Sequence, residues 1–355
     1  MGVMRTWESK RAELEAFRRN LVAAAAVHRR KGDEGRRKNT PVSSYDDDDD
    51  DDVNIMVCVT SGVSYFGLAL VNHLLLLGFS VRIIVDNPED MEKVKGIRKG
   101  KMEVIMAKLT DVDGLEKAFE GCRGVFHTSA FTDPAGLSGY TKSMAEIEVK
   151  VAENVMEACG RTSSIKRCVF TSSLSACVWQ DNAHPDLTPV INHASWSTES
   201  LCIDKKLWYA LGKMRAEKVA WRIANERGLK LTTICPALIT GPEFCHRNST
   251  ATIAYLKGAQ EMYSHGLLAT VEVTTLAEAH ARVFKAMNSN ASGRYICFDH
   301  VIDTYNEAEK LAKDIGMPKD KICGDASNNS IHRFQLSNEK LCTLMSRSLR
   351  CYSEY

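Results

Sequence analysis

Residues 55 to 67 read IMVCVTSGVSYFG, and this stretch begins the part of the chain that decides its fold. Its first half is an apolar run rich in β-branched residues, which predicts a buried strand, and the small residues after it predict a tight turn. The following residues, SYFGLALVNHLLLLG, have the length and composition of a helix. The stretch therefore predicts a strand, a turn and a helix, the first unit of an alternating α/β fold.

The same alternation continues along the chain. Short apolar runs, SVRIIV, MEVIM, GVFH, CVFTS and LTTIC, are separated by helical stretches, including helices predicted over about 140–159 and from about 204 to 227. Repeated βαβ units predict an α/β protein of the Rossmann type, with a doubly wound parallel sheet. Beyond Pro236 the pattern loosens, which predicts a smaller C-terminal substrate-binding lid over the carboxyl edge of the sheet, where such sheets bind ligands.

We predict three segments. Residues 1–52 form a disordered charged tail, residues 53–325 form the nucleotide-binding domain with a lid contributed mainly by 237–325, and residues 326–355 form a C-terminal extension. The tail ends in seven consecutive aspartates, Asp46 to Asp52. Like charges in a run repel one another and stay solvated, although a metal-binding or partner-binding role for the aspartates is an alternative.

Composition excludes several classes of function. The 46 basic and 45 acidic residues leave a net charge of +1, so no global field attracts nucleic acid. The 12 cysteines include no Cys-x-x-Cys pair, which argues against a zinc module, and we predict no metal. The absence of a signal segment and of a long apolar run predicts a cytoplasmic protein without a membrane span. The sequence identifies no protein partner.

The loop after the first strand departs from the dinucleotide-binding pattern. Glycines three residues apart would fall at positions 61, 64 and 67, and the chain has Ser61, Ser64 and Gly67 there. The last glycine allows the helix to pack on the strand, and the first two serve the turn and the close approach to pyrophosphate. Gly62 can supply part of the turn. If either serine had a left-handed backbone, strain of about 1–3 kcal/mol would weaken cofactor binding.

Two alternatives stay open for this loop. A phosphate-binding P-loop needs Lys and then Ser or Thr after the second glycine, but Leu68 and Ala69 follow Gly67. The other alternative is a strand, turn and helix that bind nothing.

Asp86 follows the second predicted strand, about 20 residues past the loop. A carboxylate in this place can accept hydrogen bonds from the adenosine ribose and repel the 2′-phosphate of NADP, which favours NAD. The competing interpretation is a solvated loop acid. Arg82, Lys93 or Lys95 could instead reach a phosphate and reverse the preference.

A candidate catalytic set lies further along the chain. KKLWYALGKMRAEKVAW contains Tyr209 and Lys213, four residues apart on one face of a predicted helix. The ammonium can stabilise the phenolate, so Tyr209 can donate a proton to a carbonyl oxygen. In FTSSLSA, Ser172 and Ser173 end a strand, and Ser173 is the candidate that orients the carbonyl. The alternative is a partly buried aromatic beside a surface charge.

The order of these features resembles the extended short-chain dehydrogenase/reductase superfamily, in its plant cinnamoyl-CoA reductase and dihydroflavonol reductase branch, over about residues 53 to 300. Further shared motifs are GCRGVFHTSA at 121–130, KRCVFTSS at 166–173, KLWYALGK at 206–213, CPALITGP at 235–242 and GRYICF at 293–298. The resemblance implies a reductase of phenylpropanoid-type carbonyl compounds that uses a nicotinamide cofactor, usually NADP, in lignin or defence metabolism. Its implied partner is a small-molecule substrate.

The resemblance, with the loop and strand-end residues above, gives a predicted cofactor-binding set. It comprises Thr60, Gly62, Tyr65, Phe66, Gly67, Asp86, Leu109, His127, Thr128, Ser129, Ala130, Tyr209, Lys213, Pro236 and Ile239.

The chain also departs from the family pattern. Asp86 replaces the arginine expected for the 2′-phosphate, Lys108 and Leu109 replace an Asp-Leu pair, and STATIAYLKGA lacks the His-x-x-Lys pair linked to CoA esters. Within the tyrosine motif, Leu207, Ala210 and Leu211 replace Asn, Cys and Tyr. A catalytically weak or inactive regulatory protein with the same fold is therefore the alternative function. His127 and His280 are predicted to be core or cofactor-lining residues, not metal ligands.

Overall fold

The structure is a computed structural model that describes residues 55–94, 101–128, 140–180, 189–324 and 334–350. The predicted tail at residues 1–52 and two predicted cofactor residues, Ser129 and Ala130, lie outside these ranges.

A seven-stranded parallel sheet forms the centre of the fold, with the order β3-β2-β1-β4-β5-β7-β10. The predicted doubly wound Rossmann sheet is therefore confirmed. Its strands are β1 (Met56–Val59), β2 (Ser80–Val85), β3 (Met102–Met106), β4 (Gly124–His127), β5 (Arg167–Thr171), β7 (Lys230–Pro236) and β10 (Gly293–Cys297). Short strands outside this sheet are β6 (Val190–Ile191), β8 (Leu238–Thr240), β9 (Ala269–Glu272), β11 (His300–Val301) and β12 (Gln335–Leu336).

Helices cover both faces of the sheet. In chain order they are α1 (Tyr65–Leu76), α2 (Pro88–Val94), α3 (Val112–Phe119), α4 (Lys142–Arg161), α5 (Glu199–Asp204), α6 (Trp208–Arg227), α7 (Phe244–Arg247), α8 (Ser249–Tyr255), α9 (Ala259–Ser264), α10 (Val273–Ala286), α11 (Tyr305–Ile315), α12 (Asp320–Cys323) and α13 (Glu339–Arg350). Side-chain alternation along β1 shows the two layers: Val57 and Val59 join the core under α1 and α10, whereas Cys58 joins the core under α3, α4 and α6. No helix in the described ranges has the length and apolarity needed to cross a membrane.

The region after Pro236 is divided between the main sheet and a smaller unit. Strand β10 pairs in parallel with β7, and α10 packs beside α1, so both belong to the central layers. Strands β8, β9 and β11 form a separate three-stranded sheet in the order β11-β9-β8, and β12 pairs with β6. The lid predicted mainly over 237–325 therefore shares its residues with the central domain, and its role over a substrate stays a prediction.

The long helix predicted from about 204 to 227 is wrong at its start. Helix α5 ends at Asp204, Lys206 has a left-handed backbone with φ of 52°, and α6 begins at Trp208. The Leu207 amide turns back to the Cys202 carbonyl, 2.8 Å away. The break changes the direction of the chain immediately before Tyr209.

The loop after β1 has no left-handed serine. In the described ranges the non-glycine residues with positive φ are Lys206 and Glu243, and Ser64 has an extended φ of −69°. The strain considered for the serines is therefore absent. Ser64 is the N-cap of α1, because its hydroxyl accepts a hydrogen bond from the Gly67 amide at 3.0 Å.

Gly67 is required by close packing. A Cβ on Gly67 would lie 2.0 Å from the Ser61 carbonyl oxygen, whereas one on Gly114 would meet the end of the Asp111 side chain at 2.6 Å. We expect Gly67→Ala to lower the free energy of unfolding by about 1–3 kcal/mol, because a backbone atom must move. For Gly114→Ala the expected change is within about 1 kcal/mol, since the higher helix propensity of alanine offsets the weakening of the Asp111 cap when its side chain moves. Urea unfolding of both variants tests this, and equal losses would contradict it.

Candidate active site

The predicted site residues meet at the carboxyl edge of the sheet, beside the switch point between β1 and β4. The chain runs from β1 outward to β2 and β3, then returns to β4 on the other side of β1. Thr60, Thr128 and Ser173 follow the ends of β1, β4 and β5 at this edge. Open α/β sheets bind their ligands in the crevice that forms at such a point.

The structure brings Ser173, Tyr209 and Lys213 together. The Ser173 hydroxyl accepts a hydrogen bond from the Ser175 amide at 3.2 Å, and it lies close enough to the Tyr209 phenol to lower the pKa of that phenol. The Lys213 ammonium lies 5.7 Å from the centre of the Tyr209 ring. The side chain of Lys213 is only 5% exposed, which excludes the interpretation of this lysine as a surface charge.

Sequence reasoning missed two residues of this cluster, Glu148 and Tyr140. The Glu148 carboxylate lies 2.6 Å from the Lys213 ammonium, and its second oxygen accepts a hydrogen bond from the Tyr140 hydroxyl. The Tyr140 ring meets the Tyr209 ring edge to face, with 5.2 Å between centres. A signal for Glu148 exists in the sequence, because it lies three residues from Ala145 and four from Ala152, on the apolar stripe of α4.

Burial and neighbouring charges set the protonation of the cluster. Burial raises the pKa of Tyr209, the Lys213 ammonium and the Ser173 hydrogen bond lower it, and the Glu148 carboxylate raises it, so that the pKa is raised overall. The expected lowering by Lys213 is thus present but outweighed. Burial acts to lower the pKa of Lys213, yet Glu148 and Tyr209 outweigh burial and the pKa is raised. Lys213 therefore carries its charge in the buried site.

A second buried ion pair lies behind the serines. Glu217, which is fully buried on α6, accepts hydrogen bonds from Ser172 at 2.6 Å and Thr233 at 2.6 Å. Its carboxylate also binds the guanidinium of Arg294 on β10, with an Nε–Oε1 distance of 2.7 Å. The pair joins α6 to β5, β7 and β10, and it explains why Ser172 does not point toward Tyr209.

The end of β4 offers polar atoms to a ligand. His127 Nδ1 lies 3.0 Å from the Thr60 hydroxyl, which also accepts from the Thr128 amide at 3.2 Å. Among the described residues, His127 Nε2 and the Thr128 hydroxyl are buried polar atoms without a hydrogen-bond partner. Burial lowers the pKa of His127 to about 3, with Lys213 as a further cause, so the ring is neutral. Orphaned polar atoms of this kind, at the switch point, fit a bound nicotinamide dinucleotide.

The other predicted cofactor residues lie around the same crevice, but several side chains point into the interior. The Tyr65 hydroxyl donates to the Thr240 carbonyl at 3.4 Å, and the Phe66 ring packs on His280 with 4.7 Å between centres. Gly62 lies against Ile83, which a Cβ would meet at 2.6 Å. Three further residues of the set are the half-buried Leu109 after β3, Pro236 at the end of β7 and Ile239 on β8.

Asp86 is exposed just beyond β2, and its carboxylate accepts a hydrogen bond from Asn87 at 2.8 Å. Arg82 is held elsewhere, because its guanidinium binds Glu103 at 2.8 Å and the Ala118 carbonyl at 2.9 Å. Arg82 therefore does not serve as the phosphate ligand considered from the sequence. The other two candidates, the Lys93 side chain and Lys95, lie outside the described part of the chain.

The two histidines considered from the sequence, His127 and His280, occupy different places. His280 is a core residue, with its ring nitrogens 2.9 Å from the Thr171 hydroxyl and 2.8 Å from the Leu276 carbonyl, and burial lowers its pKa to about 4. The described residues contain no group of three or more histidine, cysteine, aspartate or glutamate side chains arranged to hold a metal ion.

Comparison with known families identifies the class of protein. Residues 58–323 match the 3-beta hydroxysteroid dehydrogenase/isomerase family. The chain belongs to this family. Among curated relatives, Cinnamoyl-CoA reductase 1 of Petunia hybrida is 32% identical over 296 residues, covering 81% of this chain and 85% of that protein. Anthocyanidin reductase of Arabidopsis thaliana is 29% identical over 309 residues, covering 80% and 87% of the two chains.

Solved structures share the fold. Vestitone reductase from alfalfa (Medicago sativa L.) superposes with a TM-score of 0.58 at 22% identity, covering 81% of this chain and 91% of that one. Yeast methylglyoxal/isovaleraldehyde reductase complexed with NADPH superposes with a TM-score of 0.62 at 18% identity, covering 82% and 93%. The predicted family resemblance and the prediction of an NAD(P)-dependent oxidoreductase are confirmed.

Substitution of Glu217 tests how much the buried Glu217–Arg294 ion pair contributes to the stability of the fold around the site. We expect Glu217→Ala to lower the free energy of unfolding by about 3–5 kcal/mol, because it leaves the Arg294 charge buried and unpaired. Glu226→Ala, which removes an exposed partner of Arg222 on the same helix, is the control and should cost at most about 1 kcal/mol. Urea unfolding measures both, and a small loss for Glu217→Ala would show that Arg294 finds another partner.

Proposed function

We propose that this protein is an NAD(P)-dependent reductase of phenylpropanoid-type carbonyl compounds. One observation carries the proposal: a partly buried phenol, a buried ammonium and a serine hydroxyl meet at the carboxyl edge of the sheet. A phenol that is protonated at neutral pH has a proton to donate, and the adjoining serine provides a second hydroxyl for the same oxygen.

Each residue has a distinct role in this mechanism. Ser173, held by the Ser175 amide, hydrogen-bonds the substrate carbonyl oxygen and orients it toward Tyr209. Tyr209 gives its phenol proton to that oxygen as the carbonyl becomes an alcohol, and the Lys213 ammonium stabilises the resulting phenolate. A bound nicotinamide cofactor would supply the hydride to the carbonyl carbon. Thr60, His127 and Thr128 line the place where the cofactor is held.

The names of the relatives support the substrate class. The matched proteins include cinnamoyl-CoA reductases, an anthocyanidin reductase and two tetraketide alpha-pyrone reductases. The aromatic rings of Tyr140 and Tyr209 lie edge to face at the site, and Trp208 precedes Tyr209 on α6. Flat aromatic substrates pack well against such rings.

Tyr209→Phe tests the proton donor. We expect the reduction rate with an aromatic aldehyde, ketone or CoA thioester to fall by about 10²–10⁴-fold, because the phenol proton is lost while the ring remains. Binding of NADPH, measured by calorimetry, should be retained. The control is Tyr305→Phe, which removes the hydroxyl of a different tyrosine, on α11, and should leave the reduction rate unchanged. Full activity in Tyr209→Phe, or no turnover of any of these substrate classes by the wild type, would reject the mechanism.

Calorimetric titration of the full chain with NADH and with NADPH tests whether a nicotinamide cofactor binds and which of the two binds more tightly. We propose that Asp86 weakens NADPH binding by repelling the 2′-phosphate. In Asp86→Asn, NADPH should bind about fivefold more tightly, which corresponds to about 1 kcal/mol between charges roughly 4 Å apart in water. NADH, which lacks that phosphate, is the control within the same variant. If the wild type bound neither cofactor, a regulatory protein with this fold would be the better conclusion.

A further inference from the structure

Glu148 has no assigned part in the proposed mechanism, although it directly contacts the catalytic lysine. It lies on α4, and its carboxylate reaches the Lys213 ammonium of α6 at 2.6 Å. The two side chains are 2% and 5% exposed, so solvent screens the pair only weakly. The second oxygen of Glu148 accepts from Tyr140, whose ring in turn contacts Tyr209.

This arrangement changes the electrostatic field at Tyr209. A lone buried ammonium beside a phenol favours the phenolate, because opposite charges attract. Here the carboxylate of Glu148 compensates the ammonium within the same buried cluster, and a carboxylate near a phenol favours the protonated phenol. The pair therefore holds Lys213 in place without imposing its full positive charge on Tyr209.

Among the residues that the structure describes, the other groups near Tyr209 carry no compensating charge. Burial lowers the pKa of His127 to about 3, and it raises the pKa values of Tyr140 and Tyr255, with Glu148 adding to the shift of Tyr140, so all three are neutral near pH 7. Ser173 contributes a hydroxyl. Glu217, four residues after Lys213 on α6, also raises the pKa of Lys213, but its own charge is compensated by Arg294. In the described part of the chain, the charged and titratable groups around the phenol are thus Glu148, Lys213, Glu217, His127, Tyr140 and Tyr255.

We propose that Glu148 is a positioning residue that shares the Lys213 ammonium with Tyr209 and so keeps the Tyr209 phenol protonated, as the proton donor, into alkaline solution. This inference rests on the proposed role of Tyr209 as general acid.

The sign of the pH effect follows from the direction of the shift. Tyr209 donates only while it is protonated, so reduction persists below its pKa in the folded protein and is lost above it. Removing the Glu148 charge removes one cause that raises the pKa of Tyr209, while Tyr209 and Glu217 still raise the pKa of Lys213 and hold its charge beside the phenol, so the pKa of Tyr209 falls. The loss of activity then occurs at a lower pH.

The first measurement needs no cofactor. In the full-length protein with tyrosine labelled by ¹³C at Cζ, NMR follows each phenol as pH rises, and Tyr209→Phe identifies the Tyr209 signal. We expect Glu148→Gln to lower the Tyr209 midpoint by about one pH unit. Glutamine keeps the shape of the side chain, and its single amide oxygen can accept from the Lys213 ammonium while its amide NH2 group donates to the Tyr140 hydroxyl. The same NMR spectra report whether the variant is folded.

Two controls separate charge from packing. Glu153→Gln removes a more exposed carboxylate from the same helix, one paired with Lys150 at 2.7 Å, and should leave the Tyr209 midpoint unchanged. Tyr140→Phe removes the hydrogen bond to Glu148 but keeps the charge, so the midpoint should not fall as it does in Glu148→Gln.

The second measurement is the pH profile of kcat/KM for reduction. The alkaline limb should move to lower pH in Glu148→Gln by the same amount as the NMR midpoint. An unchanged midpoint in Glu148→Gln, or an equal fall in Glu153→Gln, would overturn the inference. The two proposals fail separately, because the NMR midpoint of Tyr209 is measurable even if the protein reduces no carbonyl compound.

Discussion

A buried ammonium requires a buried counter-charge, and this requirement joins the two long helices of the site. Lys213 on α6 finds its partner, Glu148, on α4, so the helices must lie close together. Gly212 allows that approach, because a Cβ there would lie 3.0 Å from the Ala145 Cα atom. Small residues at the crossing and a charge pair beside it therefore fix the position of Tyr209, one turn before Lys213.

The same helix is also fixed on its other side. Glu217 follows Lys213 by one turn and binds Arg294 of β10, while it accepts from Ser172 at the end of β5. The Arg294 guanidinium also stacks on Trp196, 3.5 Å from the ring centre. Because Ser172 is adjacent to Ser173, one buried carboxylate positions both the helix that carries the tyrosine and the turn that carries the serine.

Much of the fold follows from local pattern. The runs of β-branched residues that became β1 to β5 and β7 are short and apolar, as expected for strands buried on both faces. The break before Tyr209 was missed because Lys206 adopts a conformation that side chains other than glycine rarely adopt. No alternation of strand-like and helix-like segments surrounds β10 in the sequence, so its position in the sheet could not be predicted. Strands β8, β9 and β11 are too short to show a hydrophobic period.

The candidate site also contains residues that the sequence predicts and residues that it does not. Ser173, Tyr209 and Lys213 were predictable because their chemistry and their order along the chain are informative together. The partners that set their charges were not, because Glu148 is 65 residues before Lys213 in the chain (213 − 148) and meets it only through tertiary packing, and Arg294 is likewise 77 residues after its partner Glu217 (294 − 217). The apolar residues around Glu148 on its helix indicate that it is buried, but no local pattern indicates that Lys213 is its partner.

The cap at the start of α1 has a further consequence. The Ser64 hydroxyl already accepts from the Gly67 amide, one of the first-turn donors that helix N-termini offer to phosphate groups. A pyrophosphate that approached this amide would have to displace an internal acceptor. Because this amide has an internal partner without a ligand, cofactor binding should raise the melting temperature of this protein less than it would for a loop whose amides have no internal acceptor.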